Sequence, residues 1–111
     1  MKLQEIIDKL QLRILVGQDR LDTEVTGGYT SDLLSDVMAN SKAKNLWITL
    51  QTHENIVAVA KLKDLAGIII INNRQPEEAA LQRARDEQVT LLASRETAFS
   101  LTGKLYGLIG S

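Results

Sequence analysis

The sequence predicts an α/β fold, a single three-layer domain whose mostly parallel sheet of about five strands is flanked by helices. Three observations lead there. Apolar runs of strand length alternate with helical patterns from residue 31 to the end, as in βαβ units. Ile68, Ile69, Ile70 and Ile71 form an unbroken apolar run, which suits a strand buried on both faces. The chain has 111 residues, 44% hydrophobic and 24% charged, which suits one core, so residues 1–111 read as one domain.

Leu3, Ile6, Ile7 and Leu10 recur at helical spacing and place a helix over residues 1–10. Residues 12–16 form a β-rich run stopped by Gly17. Residues 24–26 read as a second short strand, after which Gly27 and Gly28 interrupt the chain. Paired glycines there indicate positive φ or a close approach of another group to the backbone. Ser31 reads as the N-cap of the next helix, with Asp32 in its first turn and Leu33, Leu34, Val37 and Met38 on one face. Residues 46–50 form a strand, and Thr52 caps a helix from about His53 to Leu62. After the isoleucines, Pro76 reads as a first helical residue, with Glu77 and Glu78 behind it. That helix ends near Gln88. Residues 89–93 are the last strand and 96–109 the last helix.

The formal net charge is −1, with no basic block. Nucleic acid is therefore not an expected partner, because neutralising phosphates takes clustered Lys and Arg. No apolar run approaches the roughly 20 residues that span a bilayer, so no membrane partner is expected either. The absence of cysteine rules out disulfides, thiolate nucleophiles and zinc-thiolate sites. With no secretory h-region at the start, a cytoplasmic location is expected.

Neither a P-loop nor a G-x-G-x-x-G pattern occurs. His53 is the single histidine, which cannot build a His-rich metal site. No catalytic residue, metal or cofactor is assigned. In a parallel sheet, however, ligands bind beyond the carboxyl ends of the strands, near a topological switch point. Those ends carry Gln51, Thr52 and His53; Asn72, Asn73 and Arg74; and Ser94 and Arg95. Thr26, Gly27, Gly28, Thr30 and Ser31 join them if their strand lies in the same sheet. Each group leads into a helix N-terminus, where unpaired N–H groups favour an anion. The same residues also suit plain capping roles, which every α/β domain needs.

The last helix carries apolar residues over about half its circumference, more than one sheet contact uses. Gly103 and Gly107 fall one turn apart on what the projection gives as the opposite side. A homodimer through Phe99, Gly103, Tyr106 and Gly107 is one reading, and a helix fraying after Leu101 is the other.

The run Thr26-Gly27-Gly28-Tyr29-Thr30-Ser31-Asp32-Leu33-Leu34-Ser35-Asp36-Val37 resembles the DRTGG domain family. The resemblance continues through residues 47–60, the isoleucine strand and residues 99–107. It implies a fold like the N-terminal domain of HPr kinase/phosphorylase. It also implies a regulatory or dimerising role, as in DRTGG regions of phosphotransacetylases and CBS-domain pyrophosphatases. Glu24 and Val25 stand where the naming motif has Asp and Arg, so the arginine's role does not carry over. The leading expectation is a non-catalytic homodimeric module that senses a small anionic metabolite or nucleotide. A scaffold or adaptor docking onto a separate metabolic enzyme or kinase is the alternative. An enzyme using Glu54 with His53 is a third.

Overall fold

The computed structural model describes residues 1–110. Its elements run α1 (Leu3–Leu10), β1 (Arg13–Val16), β2 (Gly27–Thr30), α2 (Leu34–Asn40), β3 (Asn45–Thr49), α3 (Asn55–Lys63), β4 (Gly67–Ile70), α4 (Glu78–Glu87), β5 (Leu91–Ala93) and α5 (Ala98–Ile109). The five strands form one sheet in the order β1-β5-β4-β3-β2. β2 to β5 are mutually parallel, and β1 closes the β5 side antiparallel. The mostly parallel three-layer sandwich expected from sequence is therefore present.

Each crossover from β2 to β5 moves one strand along in the same direction. Same-handed crossovers then place α2, α3 and α4 together on one face. There Val37, Ile56, Val57, Ala60 and Ala84 pack on Trp47, Ile68, Ile70 and Leu91. On the other face α1 and α5 supply Leu3, Ile6, Ile7, Leu10, Leu101 and Leu105 against Leu46, Ile48, Ile69 and Leu92. Residues alternate between faces along each strand, so successive isoleucines serve different layers. Burying each such side chain contributes about 1.5–3 kcal/mol. The parallel strands run monotonically, so the sheet has no reversal of strand order among them and no crevice of the expected switch-point kind.

The second strand also differs from expectation. It is Gly27–Thr30, whereas residues 24–26 touch the chain start through a single bridge between Lys2 and Glu24. Gly27 and Gly28 are extended residues of a strand and not a turn; positive φ among the glycines is found at Gly17 and Gly110. What requires glycine is close approach: a Cβ on Gly28 would lie 2.8 Å from Leu105 Cδ2. Helix starts slip by two or three residues as well. Ser31 does not cap α2, which begins at Leu34; its Oγ accepts from the Leu33 N–H in a local turn. Pro76 stands two residues before α4, whose N-cap is Glu77.

Candidate ligand-binding edge of the sheet

Parallel strands deliver their carboxyl ends to one side, and the loops that follow are tied to each other. Asp32, after β2, reaches the end of β3, where its carboxylate accepts from Thr49 Oγ1 at 2.9 Å and from the Leu50 N–H at 2.7 Å. Gln51 returns the contact by donating Nε2 to the Asp32 carbonyl. Glu77 N–H donates to the Thr52 carbonyl, joining the β3 end to the start of α4. Asn72 and Asn73 both adopt the left-handed conformation, with φ of 58° and 55°. Short Asn side chains tolerate it, and the bend points both N–H groups across the sheet end. They donate to the carbonyls of Glu96 and Ser94.

These contacts bring Thr30, Ser31, Gln51, Thr52, Asn72, Asn73, Arg74, Ser94 and Arg95 to the carboxyl end of the sheet. Thr26 and Gly27 stand apart at the amino end, where Thr26 Oγ1 donates to the Ala43 carbonyl and accepts from Asn45 Nδ2. His53 lies just before Glu54, the N-cap of α3, and has a local role: its Nδ1 accepts from the Asn55 N–H at 3.1 Å. Gly28 belongs to the groove between β2 and α5, not to the loops.

A pocket of about 470 Å³ opens at this end, between the start of β1 and the end of β5, lined by Arg13, Ser94, Arg95, Glu96 and the end of α1. Nothing in the sequence marks Arg13 or Gln11 as residues of this end. Their place depends on β1 lying antiparallel beside β5, which sets Arg13 opposite Ala93; strand order leaves no mark on local composition. Glu96 faces α5, where Lys104 and Ser100 bind its carboxylate. The hydrogen bond from Lys104, with that from Ser100, holds its carboxyl below the usual carboxylate range.

Along the outer edge, Tyr29 donates its hydroxyl to Asp36 at 2.9 Å. That bond pushes the phenol pKa up, while Asn40 and Tyr29 together hold Asp36 down. Thr30 and Thr102 share a 2.8 Å hydrogen bond that ties β2 to α5. The helix runs unbroken to Ile109, so it does not fray after Leu101. Its apolar arc divides in two. Leu101 and Leu105 point into the core, whereas Phe99 is 92% and Tyr106 63% exposed. Gly103 and Gly107 are exposed on that same outward side, not opposite it, because residues 99, 103, 106 and 107 follow helical spacing. A Cβ at either glycine would meet nothing within 4 Å, so nothing among the described residues requires glycine there.

No family model matches the sequence, and no curated protein does. Among solved structures, the fold is similar to that of the CBS and DRTGG domains of the regulatory region of Clostridium perfringens pyrophosphatase. That structure is complexed with an activator, diadenosine tetraphosphate. The TM-score is 0.70 at 13% identity, over 94% of this chain and 45% of the other, so the chain spans less than half of its neighbour. The likeness is one of fold: the α/β architecture of this chain is shared with part of that region. Among the described residues, no helix is long and apolar enough to cross a membrane.

Proposed function

We propose that this chain is a cytoplasmic regulatory module of the DRTGG kind that carries out no reaction itself. It takes up a small anionic metabolite or nucleotide at the carboxyl end of its sheet and self-associates through the outward side of α5. The observation that carries this reading is the gathering of loop polar groups and a pocket at one sheet end, in a fold shared with a nucleotide-regulated region. Phosphate-bearing ligands suit such an end because its arginine side chains favour anions. The outward α5 side, with Phe99 and Tyr106 exposed beside two glycines, supports association, since large solvated aromatics favour burial against another surface. A C2 pairing would let each helix meet its own copy.

Thermal unfolding with a metabolite panel that includes diadenosine tetraphosphate and mononucleotides tests the sensing half. At least one phosphorylated compound raises Tm, as ligand binding to the native state must; a silent panel contradicts it. Sedimentation velocity tests the other half. Wild type is expected to sediment as a dimer and Phe99→Glu as a monomer. Monomeric wild type that co-purifies with another protein would instead favour the adaptor reading.

A further inference from the structure

Two strands that run in opposite directions bring one arginine each to the same pocket. Arg13 opens β1, opposite Ala93, and Arg95 lies two residues beyond Ala93 on the β5 side. Both line the 470 Å³ cavity, and among the described residues neither forms an ion pair with a carboxylate. Arg20 and Arg83, by contrast, are engaged by Asp19 and Glu87. Glu96, the acidic residue of the cavity wall, is offset by Lys104. The carbonyls of Ser94 and Glu96, which would repel an anion, are already occupied by the N–H groups of Asn73 and Asn72. The cavity is thus lined by two arginines that have no carboxylate partner among the described residues, while its one acidic residue has a cationic one.

We infer that the pocket formed by Arg13, Arg95, Ser94 and the end of α1 binds the phosphate group of a small phosphorylated metabolite. This rests on the sensing role proposed above and locates it at one corner of the sheet end. Two planar guanidinium forks match the dianionic charge and several acceptor oxygens of a phosphate monoester, which a single carboxylate would half satisfy. The volume lies within the roughly 300–1,000 Å³ of small-molecule pockets, leaving space for more than a free phosphate. Leu10 is the leucine of the lining and offers the non-phosphate part a small apolar contact.

Isothermal titration of the full chain with ATP, inorganic phosphate and adenosine tests the site. ATP binds, phosphate competes with it, and adenosine alone does not bind measurably. Arg13→Gln and Arg95→Gln each weaken ATP binding by about tenfold or more, the loss of one charge-assisted pair. Both arginines are exposed, so the variants should keep the wild-type Tm, which shows that the loss is not unfolding. ATP binding unchanged in both variants would overturn the site while leaving the sensing role standing. Adenosine bound as tightly as ATP would overturn the phosphate assignment. Absence of both ATP and phosphate binding would overturn the site, and only a silent metabolite panel would remove the sensing role with it.

Discussion

β4 and β2 lie two places apart in one sheet and are built from opposite materials. β4 is central, and Ile68, Ile69 and Ile70 are completely buried between two layers of helices. β2 is at the edge and opens with two glycines, so α5 sits against backbone at Gly28 where a side chain would otherwise stand. The first strand gains stability from the volume it fills. The second gains its place by leaving volume empty for Leu105, with Tyr29 and Thr30 fastening it through Asp36 and Thr102. Burial on both faces demands bulky apolar residues, whereas an edge tolerates their absence when a neighbour supplies the filling.

The contrast can be broken in graded steps. Ile69→Ala opens a cavity in the centre and should cost about 2–5 kcal/mol in urea unfolding; a cost below about 1 kcal/mol would mean that the centre repacks freely. Gly28→Ala does the reverse at the edge, overfilling the contact with Leu105, and should cost about 1–3 kcal/mol. Leu105 ends in a flexible methyl, so pairing Gly28→Ala with Leu105→Val should recover part of that loss; strictly additive effects would contradict the contact. Asp32→Ala leaves the Leu50 N–H and buried Thr49 without their acceptor and should cost about 1–2 kcal/mol.

The smallest effect is a pH dependence at Glu96. Lys104 and Ser100 hold its carboxyl below the usual carboxylate range, so the native state favours the ionised form. That contribution is complete above the usual carboxylate range and is lost as pH falls through the depressed native value. Glu96→Gln should therefore flatten the acid limb of stability against pH. An acid limb identical to that of wild type would show that the Lys104 contact adds nothing.

Legibility followed the same contrast. The isoleucine run declared β4 because a doubly buried strand has to be apolar throughout. The four buried positions of α1 appeared as a helical stripe for the equivalent reason. β2 was misplaced because Gly27 and Gly28 have low strand propensity, and the reason they fit, Leu105, lies far along the chain. Ser31 resembles a cap because its side chain does bond locally, but two residues before the N-cap position, Leu33. Ser94 and Arg95 could be suspected at the sheet end from the alternation of elements. Arg13 could not, since an antiparallel first strand beside β5 is a property of topology alone. Helical spacing alone puts both glycines of α5 on the side of Phe99 and Tyr106, not opposite them; what the sequence does not show is which side of the helix meets the sheet.

Backbone amides followed by ¹H–¹⁵N correlation spectra as ATP is added to the 111-residue chain locate the ligand on the molecule. Shifts should concentrate at Gln11, Arg13, Ser94, Arg95 and Glu96, with α5 from Gly103 onward and the amino end around Thr26 unmoved. Shifts centred instead on Thr26, Gly27 and Asn45, or a spectrum that does not change at millimolar nucleotide, would contradict the proposed site.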